Sequence, residues 1–123
     1  MNIQVKSKDC IIIIIKTMST RATIKVIGKD KNPVWIYHHT DGYPEGVGVE
    51  LKERLSKEGS SYFYTIVNDI LRIDIYYEIT SGQHGDENYG YLVDTDNRIL
   101  KCYSIGWDEY DWKEEKVEFE FKF

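Results

Sequence analysis

The sequence predicts an α+β fold, in which an antiparallel β-sheet of about five to seven strands carries two α-helices packed on one face. Two stretches in the middle of the chain place apolar residues at the spacing of one helical face. Segments before and after them alternate apolar and polar residues, as a strand with one buried face does. Both patterns are explained if the two helices pack on one face of a single sheet, because the apolar residues of helices and strands then meet in one core.

The N-terminal part predicts three strands. Five consecutive isoleucines, Ile11 to Ile15, favour a strand buried on both faces. Residues Ala22 to Ile27 alternate, the stretch GKDKNP has the composition of a turn, and Val34 to His38 again has the pattern of a strand. We therefore expect the second and third of these strands to form a β-hairpin.

Two helices follow the hairpin. Val47, Leu51 and Leu55 recur at i, i+4 and i+8, and Gly59 stands where a left-handed helix stop is expected. The second helix begins after the serine pair at 60–61, either of which can act as its N-cap. Its apolar stripe has the spacing 0, 3, 4, 7 and 8 and consists of Phe63, Ile66, Val67, Ile70 and Leu71.

The C-terminal half predicts a meander of four strands. They lie near Ile73 to Ile79, Tyr89 to Asp94, Ile99 to Ile105 and Lys116 to Phe123. In the last of them apolar residues alternate strictly with charged ones, which is typical of an antiparallel strand with one face in water. The segments between the strands, SGQHGDEN, TDN and GWDEYDW, are rich in turn-forming or acidic residues.

The chain is predicted to be one domain, residues 1–123, because it contains no repeat and no Pro/Gly/Ser-rich linker. Its two cysteines, Cys10 and Cys102, lack the spacing of a metal finger or a disulfide scaffold, so we expect reduced thiols. The longest wholly apolar run has five residues, whereas a membrane-spanning helix needs about 20. We therefore expect a cytoplasmic protein without a membrane segment.

The net charge is −5, and it is distributed unevenly. Residues 1–40 carry a net charge of +5, and residues 41–123 carry −10. The stretch from Asp74 to Asn97 contains six acidic residues and no Lys or Arg. Such a surface should repel nucleic acid and attract basic partners, unless it is simply a solvated acidic face.

The loop IYHHTDGYPEGVG, between the hairpin and the first helix, collects more polar side chains than a turn needs. Gly42 is expected to adopt a positive φ, and Pro44 to set the direction into the helix. Successive strand residues point to opposite faces, so only one of His38 and His39 should face a given site. We expect His39 and Asp41 to be the functional pair.

The segment MSTRATIKV, which begins at Met18, together with IYHHTDGYPEGVGVEL, resembles a group of short proteins of bacteriophages, plasmids and other mobile elements. These proteins typically open with a Met-Ser-Thr-Arg segment and carry an H-x-D-G-Y-P motif before a helix. Here the motif falls on His39, Asp41, Gly42, Tyr43 and Pro44. The resemblance covers about 30 residues and implies a mobile-element setting without an established activity. If the matching start is the true one, residues 1–17 are an N-terminal extension.

A zinc site is predicted from the histidines, which all lie in or beside two polar loops. Imidazole, carboxylate and thiolate are the ligand types of zinc, and four of them around the metal make a structural site. The candidate ligands are His39, Asp41, His84 and Cys102. Such a site would tie the first loop to the C-terminal sheet, and the alternative is that the histidines only hydrogen-bond the turns.

The sequence contains no catalytic signature such as G-x-S-x-G, a P-loop, G-x-G-x-x-G or a Cys-His arrangement. A His/Asp metal site with an open position could still activate water. The absence of these motifs favours a binding role over catalysis and leaves the question of enzymatic activity open.

The segment GWDEYDWKEE alternates aromatic and acidic residues. Trp and Tyr often anchor protein interfaces, and carboxylates spaced along a surface can imitate the phosphates of a nucleic acid. We therefore predict that a partner protein binds to Trp107, Asp108, Glu109, Tyr110, Asp111 and Trp112. The alternative is that the two tryptophans fill the core under the last strand.

Together these features predict a small phage or mobile-element protein that acts stoichiometrically by binding a host protein. An anti-defence inhibitor of a nucleic-acid-targeting nuclease of the CRISPR type fits them, because an acidic surface complements a basic channel. Direct binding to nucleic acid is not expected. Two alternatives stay open: a metal-dependent hydrolase centred on the HHTDGYP loop, and a module that sequesters a nucleotide signal.

Overall fold

The computed structural model describes residues 20–82, 84–108 and 111–123, and the side chains of these residues except 107, 108 and 111–115. The predicted strand Ile11 to Ile15 lies outside the described residues. Within these ranges, no helix has both the length and the apolar character that crossing a membrane requires. In chain order the elements are β1 (Ala22–Ile27), β2 (Val34–His38), a π-helical turn (Pro44–Gly48), α1 (Val49–Ser56), α2 (Phe63–Leu71), β3 (Tyr77–Thr80), β4 (Tyr89–Asp94), β5 (Ile99–Asp108) and β6 (Asp111–Lys122).

Six strands form one sheet in the order β3-β2-β1-β4-β5-β6. β1 and β4 pair in parallel, and every other neighbouring pair is antiparallel. The predicted α+β class and the predicted hairpin of β1 and β2 are confirmed. The parallel pair departs from the antiparallel sheet that the strand patterns predict, because alternation describes the faces of a strand and not its direction.

The helices cover one face of the sheet. Ile24 of β1 pairs with Ile36 of β2 and with Tyr91 of β4, and all three side chains are fully buried. The helical segments join the same core through Val47, Leu51, Leu55, Phe63, Ile66, Val67 and Ile70. Full burial of one such side chain contributes about 1.5–3 kcal/mol, so the stripe stabilises helices that would be too short to form alone.

The structure places the helix ends between α1 and α2 differently from the sequence prediction. α1 has Lys57 as its C-cap, and Gly59 does not adopt the left-handed conformation predicted for it. α2 has Tyr62 as its N-cap, whereas Ser60 accepts a hydrogen bond from the Tyr62 N–H at 2.9 Å. The Arg98 guanidinium donates to the Ser60 carbonyl at 2.8 Å. The predicted helix stop at Gly59 and the predicted serine N-cap are therefore wrong. The loop between the helices is held instead by Arg98, which is far away in the sequence.

Strand β3 is shorter than predicted and begins at Tyr77 rather than near Ile73. The Asp74 carboxylate accepts a hydrogen bond from the Tyr76 N–H at 2.7 Å, which is typical of a turn. Ile75 is 88% exposed as a consequence. The strand predicted from the alternating pattern at residues 73–76 is therefore wrong. A short polar side chain such as that of Asp74 can hydrogen-bond the local backbone in competition with sheet pairing.

The loop between β2 and α1 packs directly on the backbone that precedes β1. The Gly42 N–H donates to the Thr20 carbonyl at 2.9 Å, and the Gly42 carbonyl accepts from the Tyr91 hydroxyl at 2.8 Å. A Cβ at Gly42 would lie 2.6 Å from the carbonyl carbon of Arg21. Glycine is therefore needed for close approach, and the positive φ predicted at this position belongs to Asp41, at 51°.

We predict that Gly42→Ala lowers the free energy of unfolding by about 1–3 kcal/mol, because the backbone of Arg21 cannot move aside without disturbing β1. Gly59→Ala is the matched control, since nothing lies within 4 Å of a Cβ at that position. Its effect should stay below about 1 kcal/mol. Chemical denaturation followed by circular dichroism measures both variants, and equal losses would contradict the role assigned to Gly42.

A buried carboxyl pair joins the end of α1 to α2. Glu58, which is 8% exposed, lies beside Asp69. Arg54 Nη2 lies 3.0 Å from Asp69 Oδ2 and 3.6 Å from Glu58 Oε2. The hydrogen bond with Asp69, followed by burial, raises the pKa of Glu58. Among the described residues the buried Glu58 Oε2 has no hydrogen-bond partner, and a proton held between Glu58 and Asp69 would satisfy it.

Folding should favour the protonated form of Glu58, because its pKa is raised in the folded state. This contribution to the free energy of unfolding is complete below the ordinary pKa of 4.5 and is lost as the pH rises through the raised value. Glu58→Gln cannot ionise, so we expect the wild type to lose stability relative to this variant as the pH rises above about 4.5.

Denaturation at a series of pH values measures this difference. Glu53→Gln, at a position that is 69% exposed, is the matched control and should keep the pH dependence of the wild type. If the difference between the wild type and Glu58→Gln does not change with pH, Glu58 holds no shared proton.

Candidate metal centre

Three side chains from separate elements converge beside the loop that follows β2. They are His38 at the end of β2, Glu50 in the first turn of α1, and Asp74 in the turn before β3. One ligand atom from each lies within 4.8 Å of the other two. We name these three residues the His38 site. A search of the described residues for clusters of His, Cys, Asp and Glu side chains that could hold a metal ion finds this group.

His38 is held with one ring nitrogen facing a carboxylate of the site. The residue is 2% exposed, and Nδ1 lies within hydrogen-bond distance of the Thr40 carbonyl oxygen. Because a carbonyl oxygen only accepts, Nδ1 carries a hydrogen, and a neutral ring then has its lone pair on Nε2. Nε2 lies 3.4 Å from Asp74 Oδ2. Metal-bound histidines commonly have this arrangement, in which the second ring nitrogen donates to a carbonyl.

The two carboxylates are positioned by hydrogen bonds from neighbouring groups. The Tyr77 hydroxyl donates to Glu50 Oε1 at 2.7 Å, and the Tyr76 N–H donates to Asp74 Oδ1 at 2.7 Å. Burial, followed by the hydrogen bond with Glu50, raises the pKa of Tyr77, so this hydroxyl keeps its proton. Each carboxylate keeps a second oxygen that these bonds do not use.

The His38 site brings together one imidazole nitrogen and two half-buried carboxyl groups. A divalent metal bound by Nε2 and the two carboxylates would offset the charge of both carboxylates. Imidazole nitrogen and carboxylate oxygen are both accepted as ligands by zinc and other divalent metals. The structure therefore contains a His-Glu-Asp group that could hold a metal ion.

Two of the predicted zinc ligands, His39 and His84, meet at the ring of Tyr37 on the other face of β2. The His39 ring packs edge-on against Tyr37, with 4.7 Å between ring centroids, and the His84 ring stacks on it at 3.8 Å. His39 Nε2 lies 2.6 Å from Glu78 Oε1. His84 Nε2 lies 2.6 Å from Thr80 Oγ1. The two polar loops therefore come together at an aromatic ring.

The other two predicted ligands, Asp41 and Cys102, are not part of the converging group at the His38 site. Asp41 Oδ1 accepts a hydrogen bond from the Tyr43 hydroxyl at 3.3 Å. Cys102 is a free, fully buried thiol, and burial raises its pKa to about 12. A thiol that stays protonated is a poor metal ligand, because metals bind the thiolate. Zinc binding by the four predicted ligands stays a prediction, and the converging donor atoms of the described residues belong to the His38 site.

A buried carboxylate positions the second polar loop. Glu87 is 1% exposed, and its side chain accepts hydrogen bonds from the backbone N–H groups of residues 84–86 at 2.7–3.1 Å. The Thr23 hydroxyl of β1 donates to the same carboxylate at 2.5 Å. Asp86 in turn accepts from the Tyr37 hydroxyl at 2.8 Å. Glu87 therefore fastens this loop to the sheet, a structural role for one of the acidic residues that the sequence assigns to an acidic surface.

The predicted partner-binding segment lies at the end of the β5–β6 hairpin. The backbone register pairs Trp107 with Trp112 and Asp108 with Asp111. The two residues between the strands lie outside the described residues, and so do the side chains of these four. Partner binding by this segment therefore stays a prediction.

Glu50 and Asp74 were not among the predicted site residues, although one signal pointed to the first of them. A histidine that strand alternation turns toward the core needs a polar partner there, and Glu50 stands next to the buried Leu51 on α1. No comparable signal marks Asp74, since the segment that carries it has the pattern of a strand. The prediction that His38 and His39 face opposite sides is confirmed by their burial, because His38 is buried and His39 exposed.

A scan of the chain against protein-family models finds no matching family, and comparisons with curated proteins and with solved structures find no match. The resemblance to mobile-element proteins stays an expectation from the sequence. Inference about function therefore begins from the geometry of the His38 site.

Proposed function

We propose that this chain binds zinc through His38, Glu50 and Asp74, and that the metal keeps a coordination position open. The observation that carries the proposal is the contact of His38 Nδ1 with the Thr40 carbonyl oxygen, which assigns the ring hydrogen to Nδ1. Its Nδ1 hydrogen is directed at the Thr40 carbonyl, so the Nε2 lone pair is left for a cation among the carboxylates. A zinc ion would convert two repelling carboxylates into a site without net charge.

The number of ligands supports a site that binds something further. Three protein ligands are usual where zinc holds water or a substrate, whereas structural sites use four. Glu50 also lines a surface pocket, which offers a route from solvent to the metal. The same arrangement supports the alternative of a metal-dependent hydrolase, because zinc activates bound water. Metal binding is the property that both roles require.

Zinc titration of chelator-treated protein should show about one zinc per chain by calorimetry. At a zinc concentration 100 times the Kd, binding should stabilise the fold by about 2.7 kcal/mol and raise the Tm. Asp74→Asn and Glu50→Gln keep the shape of each side chain and remove its charge, so each should weaken zinc binding at least about 100-fold. Tyr77→Phe removes only the hydroxyl that orients Glu50, and we expect a loss of about 10-fold.

His39→Gln is the matched control, because it changes the neighbouring imidazole and leaves the His38 site intact. This variant should bind zinc as the wild type does. Loss of zinc from His39→Gln, together with its retention by Asp74→Asn, would contradict the proposal and favour the ligands predicted from the two loops. Absence of zinc binding by the wild type would mean that His38 serves as the 3.4 Å ion-pair partner of Asp74.

We also propose that the protein acts stoichiometrically on a basic host protein, in the mobile-element setting that its sequence resemblance implies. An apolar cluster at the β3 edge of the sheet supports an interface. Ile75 is 88% exposed, Ile79 63% and Tyr76 48%, and β3 ends the described sheet. Exposed apolar groups beside an edge strand are typical of surfaces that bind another protein. The net charge of −10 over residues 41–123 favours a basic partner, such as the channel of a defence nuclease.

Capture from a host lysate should recover such a partner in a fixed ratio to this chain. Replacing Asp108, Glu109 and Asp111 with the corresponding amides should slow association and flatten its salt dependence. Ile75→Ser should shorten the lifetime of the complex, since apolar contacts act mainly on dissociation. Asp30→Asn, at an exposed position of the β1–β2 turn, is the control and should change neither rate. An unchanged association rate in the triple variant would remove the acidic segment from the interface.

A further inference from the structure

A surface pocket of about 300 Å³ borders the His38 site. Its walls are formed by Glu50, Glu53, Arg54, Lys57 and Ile73. Glu50 belongs to the His38 site, and Ile73 is next in sequence to Asp74. The volume is at the lower end of the range for small-molecule sites, so the pocket suits a small ligand that also reaches the metal.

Arg54 is fixed at the pocket wall and keeps hydrogen-bond donors available. Its Nη2 lies 3.0 Å from Asp69 Oδ2 and 3.6 Å from Glu58 Oε2. Both contacts use the same nitrogen, so these two ion pairs do not involve Nε and Nη1 of Arg54. A guanidinium held in this way can present two N–H groups to one anion, which is the geometry that phosphate and carboxylate prefer.

Lys57 supplies a second cation to the pocket, and its ion pair with Glu53 is weak enough to be replaced by one with a ligand. Its Nζ lies 3.6 Å from Glu53 Oε1, in a pair whose side chains are 68% and 69% exposed. Exposed pairs of this kind contribute little to stability, so Lys57 can exchange Glu53 for an anionic ligand at small cost. With zinc in place, Glu50 and Asp74 are neutralised. Arg54, which Asp69 holds in an ion pair, and Lys57 then line the pocket together with Glu53.

We infer, on the basis of the proposed zinc site, that this pocket binds a small phosphate-bearing anion that occupies the open coordination position. Phosphate oxygens bind divalent metals, and their charge pairs with Arg54 and Lys57. The predominantly acidic remainder of the chain opposes a long polyanion such as DNA or RNA. The ligand is therefore a small molecule of the phosphomonoester class.

The test uses the full chain loaded with one zinc in a phosphate-free buffer, with inorganic phosphate and phenyl phosphate as the probes. Calorimetry should show that both bind to the zinc-loaded protein and bind at least about 10-fold more weakly after zinc is removed. Lys57→Gln should weaken phosphate binding roughly 10-fold and leave the zinc affinity unchanged. Lys122→Gln, the same substitution at an exposed position of β6, is the matched control and should bind phosphate as the wild type does.

The outcomes separate this inference from the zinc site itself. Zinc binding without phosphate binding overturns the inference and leaves the zinc site in place. Equal phosphate affinity with and without zinc also overturns it, because the anion then does not reach the metal. Equal losses in Lys57→Gln and Lys122→Gln overturn it as well, since only net charge would be acting. Failure of zinc itself to bind, seen first in the zinc titration, overturns both proposals.

Discussion

Strand β1 is the element on which the rest of the structure depends, because it joins the two halves of the sheet and both polar loops are anchored at it. It pairs antiparallel with β2 and parallel with β4, and so joins the two halves of the sheet. The backbone just before it, at Thr20, receives the Gly42 loop. Thr23, on the face away from the helices, holds the Glu87 carboxylate of the second polar loop. Both polar loops are therefore anchored to one strand, and their positions follow from its pairing.

The His38 site is a consequence of this anchoring. β2 delivers His38 with its ring toward the helix face, and the loop held at Gly42 sets where α1 begins and hence where Glu50 lies. α1 has only eight residues, so it depends on the burial of Leu51 and Leu55 rather than on intrinsic helix stability. The Tyr77 hydroxyl and the Tyr76 N–H each donate a hydrogen bond to one of the two carboxyl groups and so set its orientation.

Sequence patterns predicted the fold well where burial alone decides the structure. The bounds of β1, β2 and β4 agree with the prediction, because alternation reports directly which side of a strand meets the core. The patterns failed where a specific polar contact or a close approach decides. Asp74 turns a strand-like segment into a turn, and Asp41 takes the positive φ expected at Gly42, whose own constraint is steric contact with the backbone of Arg21.

The sequence by itself determined the bounds of β1, β2 and β4 and the apolar faces of the two helices, and that His38 and His39 point to opposite faces. Only the tertiary structure decided the parallel pairing of β1 with β4 and the choice between the two histidines as a possible metal ligand. The physical reason is that a sequence pattern depends on neighbouring residues, whereas these contacts join residues far apart in the chain. Periodicity within one segment reports the direction of burial, whereas the meeting of His38, Glu50 and Asp74 depends on how three elements far apart in the chain pack against each other.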